Sequence, residues 1–595
     1  MSSQANHPKY SRRRFIQSAG AAAGCLLGEG QPVKASNSNP NILVVMVDQL
    51  RSPAWLTPAQ RTFVDSYVTP NLSGRIRDKS VTFSNYFAAA ASCTPSRATI
   101  LTGLYAPQTG IYETAPGAPG LSSAYPTWGS ALPALNPAYS NNVWWFGKWH
   151  LSPYTGAADP LLPYGFRTSL YPSAQYRSPD GCINEGTEGG LYHSGAAQAY
   201  LANDGDIAND FVNWMAQPRT GPWCATVSFI NPHDIFDYPA GFPPSPYPPP
   251  VLPVCSQAYF PQPPGPPSPY VYWAPPSPWN FETPDQLAAK QIQLQPLFQQ
   301  AWIAQTGDVT DWVAFLNWYF WLQHCVDIQI GRVLDAVANS PGASNTVIVF
   351  TSDHGDYGGS HGLHGKSGAV YDEALHVPLH VCFPSGATGT RTQLCSSVDF
   401  FGLICDLGTG GAHQWAVKYP DLARRESIYG FIHNPSQPEQ HRISPELGVP
   451  YVLHTTDEAM DTMPGTPVKN HVVCLRTRSQ PADPNHGAKY AVYNQWAGGA
   501  VTPDPSVAPD QEFYNYASNP GELGNDALSS DPPMEELVDQ YRQAVGTYGA
   551  SSGAISLELA RPLTGMGANN KPLRAVRAKA QQAYLNYIAA GGCSA

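Results

Sequence analysis

The chain has 595 residues, 42% of them apolar, which is enough for a sizeable core and too long for one small domain. Only 13% are charged, and the formal net charge of −11 comes with no basic block. That balance argues against nucleic acid as the main partner, and it means that an anionic substrate would need a locally positive site.

In chain order, Ser11-Arg12-Arg13-Arg14-Phe15-Ile16 resembles the twin-arginine export pattern. An apolar stretch from Phe15 to Leu27 follows, and Val33-Lys34-Ala35 suits a cleavage end. Residues 1–35 are therefore expected to be a signal segment that directs the protein to the periplasm. The stretch is too short and too rich in small residues for a stable membrane span. The 11 cysteines form no Cys-x-x-Cys pair and no zinc spacing, although an exported chain would be free to form disulfides.

Short runs rich in β-branched and aromatic residues then predict buried strands at Ile42–Val47, Val143–Phe146, Trp223–Ile230, Thr346–Thr351 and Val377–Phe383. Continuous apolar runs of this kind suit a parallel sheet covered on both faces. Helical patterns lie between them, the clearest from Phe315 to Ala338. This alternation predicts an α/β sandwich over residues 36–440. Residues 238–279, dominated by Tyr, Trp and Pro, read as an insertion with polyproline character. After residue 440 the alternation weakens. His471–Arg478 and Lys489–Gln495 predict antiparallel strands and Met534–Tyr548 a helix, so residues 441–595 are expected to form a smaller α+β domain.

Polar clusters follow four of these strands. They are Asp48-Gln49, Lys148 with His150, Asn231-Pro232-His233-Asp234 and Asp353-His354-Gly355-Asp356. In a parallel α/β sheet, groups beyond the carboxyl ends of strands gather at one edge. Asp48, Gln49, Asp353 and His354 make an oxygen-rich set with one imidazole, which suits Ca2+ or Mg2+ and admits Mn2+. Lys148, His150, His233 and Lys366 supply positive charge and proton transfer.

The segment Cys93-Thr94-Pro95-Ser96-Arg97 is the most specific. Pro95 fits the first turn of a helix and Gly103 its C-terminal cap. Cys93 then lies at a helix N-terminus, where free N–H groups favour anions, and Arg97 is one turn along the same face. Taken alone, Cys93 is open to two readings, a buried structural thiol or a low-pKa nucleophile.

Together these residues resemble the formylglycine-dependent sulfatases of the alkaline-phosphatase-like superfamily, the arylsulfatases among them. Cys93 to Gly103 is similar to the modification signature C-x-P-S-R-x-x-x-L-T-G. Gly147-Lys148-Trp149-His150 is similar to G-K-x-H, and Thr351–Asp356 with His361–Lys366 to the distal metal and lysine segment. The resemblance implies an alkaline-phosphatase-like fold with a large, mostly parallel sheet and a C-terminal domain with an antiparallel sheet. It also implies hydrolysis of a sulfate ester to an alcohol or phenol and inorganic sulfate. By resemblance, a formylglycine-generating enzyme converts Cys93 to formylglycine, and one divalent ion, Ca2+ first with Mg2+ or Mn2+ as alternatives, is held by Asp48, Gln49, residue 93, Asp353 and His354. Arg97 would hold the nucleophile, His233 would protonate the leaving group, and Lys148 and Lys366 would neutralise sulfuryl oxygens. His150 would help release the sulfate. Two departures stand out: Gln49 where many members carry a second acid, and His376 where Arg is common. Phosphonate monoester or phosphodiester hydrolysis on the same scaffold is the nearest alternative, with a non-catalytic binding homologue after it.

Overall fold

The seven residues of strand β1, Asn41–Val47, are all buried, and their side chains alternate between two separate cores. Ile42, Val44 and Met46 enter one, and Leu43, Val45 and Val47 enter the other. A strand that feeds apolar side chains to both faces must be covered on both, which is why β1 lies inside a sheet and not at its edge. The computed structural model describes residues 39–114, 118–152, 159–169, 199–237, 280–306, 312–458, 469–478 and 487–590. The expected signal segment and the 238–279 insertion lie outside them.

The strands that follow are β2 (Val81–Phe83), β3 (Tyr86–Phe87), β4 (Val143–Gly147), β5 (Cys224–Phe229), β6 (Thr346–Ser352), β7 (Leu379–Cys382), β8 (Gly389–Arg391) and β9 (Cys395–Ser396). The large sheet has the order β4-β5-β1-β6-β7-β2-β8. Strands β4, β5, β1 and β6 are mutually parallel, whereas β7 pairs antiparallel with both β6 and β2. The Val377–Phe383 run was expected to join a parallel set and runs the other way. The reason lies in the chain path: Thr351 at the end of β6 pairs with Leu379 at the start of β7, so the chain loops over the sheet edge and re-enters where it left. That loop carries part of the site.

Helices cover both faces. Ala98, Ile100 and Leu101 of the Cys93–Thr102 helix pack in the first core with Phe400, Phe401 and Ile404 of the Phe400–Thr409 helix. Phe211 and Trp214 of the Ala199–Met215 helix pack in the second with Val326, Ile330 and Val333 of the Trp312–Ala338 helix. The architecture is an α/β sandwich around a mostly parallel sheet.

A separate antiparallel sheet has the order β10 (Tyr451–Thr456), β11 (His471–Thr477), β12 (Ala488–Asn494) and β13 (Asp510–Asn515). Val538, Tyr541 and Val545 of the Pro532–Val545 helix cover one face. The other face, through Val472, Cys474 and Tyr514, packs on Phe298, Tyr357 and Tyr371 of the first unit. Farther on, Leu563, Leu573 and Val576 return to the core of the large sheet. Among the described residues no two cysteines are joined in a disulfide, and no helix is long and apolar enough to cross a membrane.

Candidate active site at the carboxyl edge of the large sheet

The helix that begins at Cys93 has Ser92 as its N-cap in extended geometry and Gly103 as its C-cap at φ 70°, a conformation that glycine adopts without strain. Every residue of the helix is buried. Its first turn therefore lies inside the protein and not in water, and the positive end of the helix dipole falls at the Cys93 side chain.

The charged side chains collect around that sulfur. Lys366 Nζ lies 2.9 Å from Cys93 Sγ, His354 Nε2 3.2 Å, Asp48 Oδ1 3.7 Å and Lys148 Nζ 4.0 Å. His150, at a positive φ of 54°, brings its ring within hydrogen-bond reach of the same sulfur. Burial alone would raise the thiol pKa, but Lys148, Lys366 and His354 outweigh it and hold it well below the usual value. A site that stabilises a thiolate so strongly is built for negative charge.

Arg97 is wholly buried and fully engaged. Nη2 donates to Asp48 Oδ2 at 2.7 Å, Nη1 donates to the Lys148 carbonyl at 2.9 Å and to Ser228 Oγ at 3.0 Å, and Nε lies 2.9 Å from Asp353 Oδ2. Its planar fork thus ties the ends of β1, β4, β5 and β6 together. Lys148 Nζ adds a second contact to Asp48 Oδ2 at 2.9 Å. Breaking such a buried network strands a charge, so each member depends on the others.

Asp48, Cys93, Asp353 and His354 each offer one ligand atom, all within 4.8 Å of one another and all buried. Three features suit a divalent cation. The His354 Nδ1–H donates to the Gly355 carbonyl at 3.0 Å, which leaves Nε2 as the lone-pair nitrogen facing the cluster. Burial and the neighbouring Asp48 push the Asp353 carboxyl up, a repulsion that a cation between the carboxylates would relieve. The donor set of carboxylates and one imidazole matches a hard or borderline ion. Gln49 sits differently. Its Nε2 donates to Asp356 Oδ2 and its Oε1 accepts from Lys366 Nζ, each at 2.7 Å, so these partners fix the orientation of the amide. Its carbonyl oxygen therefore positions Lys366, and the departure from a second acid is accounted for by that contact.

His233 stands at the mouth, 8% exposed, with Nδ1 3.9 Å from Asp234 Oδ1. Burial, Lys148 and Lys366 press its pKa down, but Asp48 and Asp234 prevail and hold it up at about 10. His376 lies apart. Its ring stacks on Phe87 and its Nε2 donates to the Ser84 carbonyl at 2.9 Å, while burial lowers its pKa to about 4. It serves the strand junction and not the site.

All the expected site residues thus converge, from five separate stretches of chain. Sequence reasoning placed Asp234 in the polar cluster with His233 without giving it a role, and it missed Ser228 and Glu458. Ser228 belongs to the Trp223–Ile230 run that leads to His233, so that run was a usable signal. Glu458 follows β10 in the second sheet. Its Oε2 accepts from the Thr114 N–H at 2.9 Å, and Thr114 Oγ1 in turn accepts from the Thr94 N–H at 3.3 Å beside Cys93. Nothing local in the sequence marks it.

The protein-family model described as Sulfatase matches residues 40–410, more than half of the chain. A choline-sulfatase of Rhizobium meliloti (strain 1021) is 25% identical over 408 residues, which covers 62% of this chain and 68% of that relative. Two solved structures share the fold. A 2-O GAG sulfatase superposes with a TM-score of 0.55 at 18% identity, covering 85% of this chain and 90% of that one. The phosphonate monoester hydrolase of Agrobacterium radiobacter superposes with a TM-score of 0.54 at 20% identity, covering 84% and 94%.

Proposed function

The chain belongs to the sulfatase family of sulfuric ester hydrolases, and on that premise we propose that it cleaves a sulfate ester with a nucleophile made from Cys93. The observation that carries this reading is the crowd of Lys148, Lys366, His354 and Asp48 about a single sulfur at a helix N-terminus. Oxidation of Cys93 to formylglycine would put the oxygens of the aldehyde hydrate where Sγ lies. A divalent ion held by Asp48, Asp353 and His354, with Ca2+ the first choice, would supply Lewis acidity to nucleophile and sulfate alike.

The residues of the chain would do the rest. Asp48, fixed by Arg97 and Lys148, orients the attacking hydroxyl and takes its proton as the oxygen bonds to sulfur. Lys148 and Lys366 neutralise charge that builds on the sulfuryl oxygens as the new S–O bond forms. His233 gives its proton to the ester oxygen as the bond from sulfur to the alcohol breaks, so the alcohol leaves neutral. His150 then takes the proton of the remaining hydroxyl, and the electrons of that O–H bond restore the carbonyl as sulfate departs. A plain Ser or Cys has no second hydroxyl with which to break its own covalent intermediate.

A second reading, phosphonate monoester hydrolysis, is favoured by Gln49, since relatives with that activity often pair Asp with Gln. Lys148 and His150 favour the sulfate ester, because those relatives tend to lack this pair. Turnover of 4-nitrophenyl sulfate should be lost in Cys93→Ala and in chelator-treated enzyme, and divalent ion should restore it only to the treated enzyme. Activity that survives in Cys93→Ala would sink the mechanism. Turnover of the matching phosphonate ester alone would favour the second reading.

A further inference from the structure

One side chain at the mouth of the active site, Glu458, comes from the segment that follows strand β10 of the second sheet. Asp48, Arg97, Lys148, Asp353 and His354 are 0% exposed and form the floor. Thr94, His233 and Lys366, each 8% exposed, form the mouth, and Glu458 is half-buried beside them. A sulfate drawn to the floor must therefore carry its alcohol out past these four side chains.

Glu458 is held there by construction. Strand β10 is anchored to the segment before Cys93: the Thr455 N–H donates to the Ala89 carbonyl at 2.9 Å, and His454 Nδ1 pairs with the Ala88 carbonyl at 3.2 Å. The next residue, Asp457, is clamped by His471 Nδ1 at 2.6 Å and Trp496 Nε1 at 2.9 Å. The Glu458 carboxylate then accepts from the Thr114 N–H, lies in hydrogen-bond reach of the Ser92 hydroxyl, and is within electrostatic range of Cys93 and Lys366. An acid beside a site that must attract an anion works against sulfate binding unless it acts on another part of the substrate.

We propose that Glu458 is a specificity-determining residue that selects sulfate esters bearing a hydrogen-bond donor, an ammonium or hydroxyl group, close to the sulfated carbon, and that it rejects a second anion there. The inference rests on the sulfatase reading. It places the choice of substrate in the second sheet and the chemistry in the first.

Three 4-nitrophenyl sulfates substituted at position 2 with aminomethyl, hydroxymethyl or carboxylate test it, with the unsubstituted ester as parent. Wild type should favour the two donor esters over the carboxylate in kcat/KM by about tenfold or more, the effect of one charge pair near the surface. In Glu458→Gln, which keeps an oxygen for the Thr114 N–H, that preference should fall below about threefold. Ratios within one preparation cancel any general loss of folded enzyme, and the comparison between proteins cancels differences in leaving-group reactivity. Collapse for aminomethyl alone would assign a cationic substrate, and collapse for both donors a hydroxyl-bearing one. Ratios unchanged by Glu458→Gln, or refusal of all three esters by enzyme that cleaves the parent, would overturn the proposal. Failure on the parent itself would instead remove the sulfatase reading.

Discussion

Cys93 and Arg97 are four residues apart, and the structure gives them opposite work. The sulfur faces cations, whereas the guanidinium faces the carboxylates of Asp48 and Asp353. His233 depends on a similar pairing. Its imidazolium is the acid form, and because its pKa is raised, that form persists as pH rises through neutrality and is lost only as pH passes the folded value of about 10. Asp234→Asn removes one of the two carboxylates that hold it up. The alkaline limb of kcat/KM should then move down by about 1 pH unit or more relative to wild type. A bound cation beside Asp48 lowers both limbs, so the displacement between the two proteins is the quantity to read, and coincident limbs would show that Asp234 does not act through His233. At this scale much was legible. The Cys-Thr-Pro-Ser-Arg segment, the Gly-Lys-Trp-His run and the two Asp clusters named most of the site. Glu458 was not legible, because only the docking of a distant strand brings it there.

The elements explain how polar side chains can be held so tightly. Gly147 ends β4 at φ 88°, and a Cβ there would stand 2.0 Å from the Ser228 carbonyl oxygen. That same oxygen accepts from the Lys148 N–H at 2.9 Å. Gly147→Ala should therefore destabilise the fold by roughly 3 kcal/mol and misplace Lys148 and His150. Gly205, in a helix with open space about it, is the control: Gly205→Ala should be neutral or stabilising by up to about 1 kcal/mol. Urea unfolding of the two variants checks the contrast, and equal effects would contradict it. The strands themselves could be read ahead because unbroken apolar runs report burial on both faces. The direction of β7 could not, since apolar content is blind to whether a loop crosses the sheet or turns back at its edge.

Over the whole molecule, the second sheet behaves as part of the active enzyme and not as an appendage. Arg442, 1% exposed on its side chain, grips Asp399 with Nη1 to Oδ1 at 2.5 Å and Nη2 to Oδ2 at 2.6 Å. Asp399 also accepts from the Ser396 and Glu426 N–H groups at 2.8 Å. Arg442→Met would leave that carboxylate buried without its cation and should cost about 3–5 kcal/mol. Because Glu458, Thr455 and the packed face of the sheet all bear on the first unit, loss should occur in one cooperative transition; separate melting of the antiparallel sheet would contradict this coupling. The antiparallel sheet packs on the first unit, and Leu563, Leu573 and Val576 return to the core of the large sheet, a tightness that alternation of elements in sequence could not convey. On the proposed mechanism, these arrangements serve the oxygen that would replace the Cys93 sulfur. The most direct measurement is the mass of the tryptic peptide Ser80–Arg97 from enzyme produced with a formylglycine-generating enzyme and shown to turn over a sulfate ester. The account predicts a mass about 18 Da below the unmodified peptide, or the hydrate equal to it in mass but unreactive toward thiol alkylation. An alkylatable Cys93 thiol in fully active enzyme would contradict it.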